Sequence, residues 1–287
     1  MSEQANESLV QPDWLAAEIA ASDLRVVDGS WYLPEAERDP AAEFLTAHIP
    51  GAVFLNLATD LADTAAPVRN TLATPQQLAA TLGAAGISDT DRVILYDHKG
   101  GASAGRLWWV FQYLGHDSVA LLDGGFERWR AEGRPLASGP AEPSPTRYRP
   151  RPQSNWIADQ NDVLTAIRQG GAQLVDAREA ERFRGEAEEP ARYKGHMPGA
   201  QNIPYTENLR GEPPRLKDPA ELRALYETAG VDFERPVITT CGSGVTASLT
   251  AFALRRAGHR NVVVYDGSWA EWGNTEGLPV ETGPGRR

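Results

Sequence analysis

Residues 237–258 read VITTCGSGVTASLTAFALRRAG. A β-branched run ends at Cys241, a Gly-Ser-Gly turn follows, and an apolar helical stretch closes on Gly258. The pattern predicts strand, loop and helix, with the cysteine just past the C-terminal end of a parallel strand, the edge at which open α/β sheets bind ligands. Glycines in such a loop let successive backbone N–H groups turn toward one point. The helix that follows adds positive potential from its N-terminus. A sulfur at the centre of that ring is stabilised as an anion. Most free cysteines are only small buried hydrophobes, but the strand end before Gly-Ser-Gly favours chemistry here.

Outward from this stretch the chain is written twice. LRVVDGS (24–30), HIPGA (48–52) and GHDSVALLDGGFERW (115–129) return in order as AQLVDAR (172–178), HMPGA (196–200) and GHRNVVVYDGSWAEW (258–272). Asp28 precedes His48 by 20 residues, and Asp176 precedes His196 by the same number. Within each copy, short β-branched runs alternate with amphipathic stretches such as 74–87 and 218–231, which begin with Thr-Pro or Asp-Pro and end near Gly. The expected fold is therefore α/β, a tandem duplication in which each copy is a parallel sheet with helices on both faces. Residues 138–155 carry five prolines and little apolar content, which reads as an extended linker. The expected division is 1–140, a linker at 141–155, and 156–287 with the cysteine.

Composition narrows the chemistry. A 41% hydrophobic and 23% charged content is that of an ordinary globular protein. No apolar run approaches the ~18 residues of a membrane span. The N-terminus lacks a basic start and apolar core, so the expected location is the cytoplasm. A net charge of −11 argues against nucleic acid or an anionic membrane as partner. Cys241 is the only cysteine, which forbids an internal disulfide or a multi-cysteine metal site. The Cys-x5-Arg phosphatases share the strand–loop–helix shape, but the seventh residue here is Ala247, so no guanidinium is placed to grip a phosphoryl group.

With DGSWYLP (28–34), GRLWW (105–109), ERFRG (181–185), GHMPGAQNIP (195–204) and YDGSWAEW (265–272) added, the chain resembles the two-domain rhodanese-type sulfurtransferases along nearly its whole length. The loop Cys-Gly-Ser-Gly-Val-Thr (241–246) resembles that of the members using 3-mercaptopyruvate; thiosulfate-preferring relatives typically carry Arg-Lys at 242 and 243. The resemblance implies a ping-pong transfer through a persulfide on Cys241, held by the N–H groups of Gly242, Ser243, Gly244, Val245 and Thr246, with pyruvate released and a thiol such as thioredoxin, or cyanide, as acceptor. It implies no metal or organic cofactor. It also implies two arginines for the donor carboxylate, matched by Arg182 in ERFRG and Arg192 in EEPARYKG. Thiosulfate:cyanide transfer and a non-enzymatic persulfide carrier are the alternatives.

The family's Ser243 works with an Asp and a His in a stretch after HIPGA. Here that stretch is VFLNLATDLADTAAPVRNTL (53–72), without histidine. Asn70 or Arg69 falls near the His position, Ala58 at the Asp position, and Asp60 close by, so either Ser243 serves only as a hydrogen-bond donor or donor preference has drifted. His48, His196, His116 and His259 occupy equivalent places in both copies and read as structural. Aligned without gaps, His98 stands opposite Cys241; one gap places Asp97 there. Neither is a sulfur nucleophile, so the first copy reads as catalytically silent. Trp269 is a candidate pocket residue.

Overall fold

The β-branched runs form the strands. The structure, a computed structural model, describes residues 8–285. Leu9–Val10 (β1), Leu24–Asp28 (β2), Ala52–Phe54 (β3), Arg92–Tyr96 (β4) and Val119–Leu122 (β5) make one parallel sheet in the order β1-β5-β4-β2-β3. Along the second half come Ile157–Ala158 (β6), Gln173–Asp176 (β7), Gln201–Asn202 (β8), the two-residue strands Leu209–Arg210 (β9) and Arg215–Leu216 (β10), Val237–Thr240 (β11) and Val262–Tyr265 (β12). Five of these repeat the first sheet as β6-β12-β11-β7-β8.

The connecting helices of the first half are Pro12–Glu18 (α1), Pro40–Thr46 (α2), Pro75–Ala84 (α3), Ala104–Tyr113 (α4) and Gly125–Ala131 (α5). Those of the second are Gln160–Gln169 (α6), Ala180–Arg184 (α7), Pro219–Thr228 (α8), Val245–Arg256 (α9) and Ser268–Trp272 (α10). Their starts are encoded locally. Thr74 caps α3, with Pro75 at the first helical position and the Gln77 side chain returning to the Thr74 N–H at 2.9 Å, the reciprocal capping box.

Alternate strand residues face opposite sides, and both sides are buried. In the first sheet Leu24, Val26, Ile94, Ala120 and Leu122 pack with Leu15, Phe44, Phe126 and Trp129 from α1, α2 and α5. Val27, Val93, Leu95 and Leu121 are equally buried, and α4 packs against β4 and β5. The second sheet repeats this, with Leu174 and Ile238 against Val163, Phe183 and Trp272, and with α9 on β11 and β12. The core thus fixes the strand ends from which the loops spring.

Two compact units result. One comprises the residues up to Thr64, Leu72–Gln153 and Gly211–Leu216; the other comprises Ala65–Thr71, Ser154–Arg210 and the chain from Lys217 onward. The proline-rich segment has no helix or strand over 138–153 and is pinned along the first unit. The N–H groups of Thr146, Arg151 and Gln153 donate to the carbonyls of Gly83, Leu114 and Tyr113 at 2.7–2.8 Å. Tyr148 is buried, with its hydroxyl 3.2 Å from His116 Nδ1. Gly83 permits the approach, since a Cβ there would lie 2.6 Å from the Thr146 carbonyl oxygen.

Candidate active site

Cys241 follows β11 directly and is 2% exposed. Its own N–H donates to Ser268 Oγ at 3.2 Å, and that hydroxyl donates to the Tyr265 carbonyl at 2.9 Å. The carbonyls of Cys241 and Gly242 accept from Trp269 and Ala270 at 3.0 and 2.9 Å. Helix α10 therefore holds the start of the loop, by the carbonyls of Cys241 and Gly242 and by the Cys241 N–H. Among the described residues the N–H groups of Gly242, Ser243, Gly244, Val245 and Thr246 meet no protein acceptor. Gly244 caps α9 with φ 77°, a left-handed turn that suits glycine. Five free donors and a helix N-terminus beside one sulfur form a cradle for an anion.

Arg182 lies at the rim of this cradle. A Cβ on Gly242 would lie 3.2 Å from Arg182 Nη2, so the glycine is what admits the guanidinium. Arg182 is anchored from behind: Nε and Nη2 donate to the two carboxylate oxygens of Glu189 at 2.7 and 2.8 Å. Glu189 also accepts from Arg178 Nη1 at 3.1 Å, and its side chain is 1% exposed against 28% for Arg182. Arg178 is buried, pairs with Asp176 at the end of β7, and lies over the Trp269 ring at 4.4 Å. Arg182 Nη1 has no protein partner among the described residues. One edge of the fork is thus available to an incoming carboxylate.

Arg192 is placed differently. Its side chain is 54% exposed and pairs with Glu276 at 3.0 Å, over the Tyr193 ring. None of its recorded partners belongs to the Cys241 loop. Trp269 is fully buried beneath Arg178 and contributes its backbone N–H to the loop. Asn70 belongs to the same unit as the loop and donates from Nδ2 to Ser243 Oγ at 3.1 Å. Asp60 is occupied by the Asn56 N–H at 2.8 Å and Thr59 Oγ1 at 3.0 Å. Among the described residues no cluster of His, Cys, Asp or Glu is placed to hold a metal ion, and no helix is long and apolar enough to cross a membrane.

A rhodanese-like domain model matches residues 11–132 and again 159–275. The chain belongs to the rhodanese family. It is 37% identical to the 3-mercaptopyruvate sulfurtransferase of Homo sapiens, over 94% of this chain and 93% of that one. It is equally 37% identical to the thiosulfate sulfurtransferase of Bos taurus, over 92% and 91%. The crystal structure of a 3-mercaptopyruvate sulfotransferase from Escherichia coli superposes with a TM-score of 0.85 at 35% identity, covering 91% of this chain and 98% of that one. Overall identity does not separate the two donors.

The two rhodanese units can be put in register through their strands. Asp28 pairs with Tyr96 and Asp176 with Thr240, so the residue after each strand corresponds: Asp97 to Cys241. The same follows from the loop carbonyls, since Phe126 donates to the Asp97 carbonyl as Trp269 does to that of Cys241, both at 3.0 Å. The ungapped pairing of His98 with Cys241 is displaced by one residue. The loop before α4 runs Asp97–Ser103, longer than Cys241–Gly244, while α4 has 10 residues against 12 in α9, so a shift of one residue remains. In the first unit the cradle is filled. The Asp97 carboxylate accepts from the N–H groups of Lys99, Gly101, Ser103 and Ala104 at 2.7–2.9 Å and from Ser103 Oγ at 3.1 Å.

Two further substitutions separate the units. Phe44 and Phe183 each stack on the histidine of the repeated His-x-Pro-Gly motif, at 4.0 and 3.7 Å. The preceding residue is Glu43 in one and Arg182 in the other. His48 and His196 each set Nδ1 against a phenylalanine carbonyl at 2.7 and 2.8 Å. His116 and His259 are buried, and burial pushes both imidazoles below their usual range. Sequence reading missed Ser268, Arg178 and Glu189. Ser268 had a signal, since the copies read Asp-Gly-Gly at 123–125 and Asp-Gly-Ser at 266–268; in the structure Ser268 stands at φ 47° where Gly125 stands at φ 55°, a conformation uncommon for a non-glycine.

Proposed function

We propose that this chain moves a sulfane sulfur from 3-mercaptopyruvate through a Cys241 persulfide to a thiol, such as that of thioredoxin, or to cyanide. The observation that carries this reading is the Cys241 cradle of five unpaired N–H groups with the Arg182 fork at its rim. Arg182 Nη1 and the outer edge of Nη2 take the donor carboxylate and direct its sulfur at Cys241. The thiolate pair forms the S–S bond, and the C–S pair leaves on carbon as pyruvate enolate. The substrate's thiol proton is matched by the one gained on that carbon, so no outside oxidant or reductant enters. The loop N–H groups hold the persulfide anion. An acceptor thiolate or cyanide then attacks the outer sulfur, the S–S bond breaks, and the Cys241 thiolate returns.

Cys241 is the catalytic residue in this reading, and the first unit is silent because a carboxylate fills its cradle. Arg192 is directed to Glu276, so the carboxylate is assigned to Arg182. Arg182→Ala removes a charged hydrogen bond worth about 1.5–3 kcal/mol, so kcat/KM for mercaptopyruvate should fall about 10- to 150-fold. The loss should be smaller for thiosulfate, which has no carboxylate. Equal losses for the two donors would return Arg182 to a purely structural part.

Thiosulfate is the competing donor, kept in play by the bovine relative. A compact dianion gains from cations inside the loop, and Gly242 and Ser243 supply none. A longer side chain at 242 would begin against Arg182. Steady-state rates measured side by side should give a kcat/KM for mercaptopyruvate at least about tenfold above that for thiosulfate. Pyruvate should appear in step with sulfur transfer. A preference for thiosulfate, or transfer without pyruvate, would reject this donor assignment; a non-enzymatic carrier would turn over neither donor.

A further inference from the structure

We propose that Asn70 is a positioning residue that makes Ser243 a hydrogen-bond donor to the departing enolate, so that the serine at this site is not a base. The proposal rests on the mercaptopyruvate reading above. Asn70 is buried, and its Nδ2 donates into the Ser243 oxygen at 3.1 Å. An amide nitrogen carries no lone pair for a hydrogen bond, so the serine proton points elsewhere. Among the described residues that hydroxyl finds no protein acceptor, which leaves its proton for substrate.

The backbone supports the same assignment. Asn70 sits at φ 60° in the turn Val68–Thr71, where the Thr71 N–H and Oγ1 both meet the Val68 carbonyl. Asparagine is among the few side-chain-bearing residues that accept this conformation. The turn therefore presents a short amide at a fixed point facing Ser243. The Asp60 carboxylate of the same stretch is turned to its own loop, held by Asn56 and Thr59, and Arg69 is exposed. At Gly242 the neighbouring side chain is Arg182, a cation.

A relay of Asn70 N–H to Ser243 oxygen, and Ser243 O–H to substrate, runs in the direction that C–S cleavage needs. Negative charge gathers on the ketone oxygen as pyruvate enolate departs, and a preorganised donor stabilises it. Thiosulfate releases sulfite and forms no enolate, so it should be nearly indifferent to this relay.

The test is single-turnover loading of Cys241, read as the gain of one sulfur by intact mass, in wild type, Asn70→Gly, Ser243→Ala and the double variant. Glycine keeps the left-handed turn while deleting the amide. With mercaptopyruvate, Asn70→Gly should slow loading about 3- to 10-fold, the worth of one oriented neutral hydrogen bond. With thiosulfate it should change little. In the Ser243→Ala background it should add nothing, because the serine is the route of its effect. Equal slowing with both donors, or a full further loss in the Ser243→Ala background, would overturn the proposal. Failure of the donor reading looks different: wild-type protein would then load from thiosulfate alone, which removes the enolate and the proposal with it.

Discussion

Cys241→Ser should abolish sulfur loading and lower turnover by more than about 1,000-fold, with folding intact. The expectation follows from the chain having one cysteine and from what the loop is built to hold. Serine is close in size and keeps the Trp269 and Ser268 hydrogen bonds, which involve only the residue's backbone. The fold should therefore persist, and a melting curve near that of wild type would show it. What is lost is a polarisable, ionisable sulfur at the head of a loop whose N–H groups at 242–246 meet no protein acceptor among the described residues. A hydroxyl stays protonated there, forms no bond to sulfane sulfur, and offers no leaving group for the second step. The check is twofold: intact mass after incubation with mercaptopyruvate, and pyruvate release at steady state. One added sulfur in the variant, or turnover within tenfold of wild type, would reject Cys241 as the carrier.

The strand, loop and helix around Cys241 were readable because each is encoded by neighbours: valine and isoleucine for the strand, glycine for the turn, alternating bulk for α9. The duplication was readable for the same reason, since loop motifs recur at matching spacing. What could not be read depends on register or on distance along the chain. The loop after β4 is longer than the loop after β11, so motif spacing alone set His98 against Cys241; only the pairing of Asp28 with Tyr96 shows that Asp97 holds the place. Glu189 lies in GEAEEPARYKG, which has the composition of a solvated loop. Two guanidinium groups, brought from α7 and from the end of β7, are what draw that carboxylate inside. Asn70 meets Ser243 across 173 residues of chain, and no periodicity carries such a pairing.

Asp97→Ala should destabilise the N-terminal unit by about 3–5 kcal/mol, a shift near 10 °C in its thermal transition. The Asp97 carboxylate is buried and receives four backbone N–H groups and one hydroxyl. Alanine strands all five, and each buried donor left without an acceptor costs about 1–3 kcal/mol before water re-enters. Asp97→Asn should lose less, because one oxygen remains, but its NH2 would face N–H groups. In the folded protein Cys241 should still load one sulfur. A transition unchanged from wild type would mean that no anion is needed to hold this loop, and the parallel with Cys241 would fall. Asp97→Cys extends the test, because it places a thiol in the first cradle. Loading from mercaptopyruvate should nonetheless stop at one sulfur per chain. Glu43 stands where the active unit has Arg182, and it is already bound by Tyr32 and Arg38. A carboxylate at that rim repels the donor's own carboxylate. Two sulfurs per chain in Asp97→Cys would show instead that the cradle alone suffices and that the arginine fork does not select the active unit.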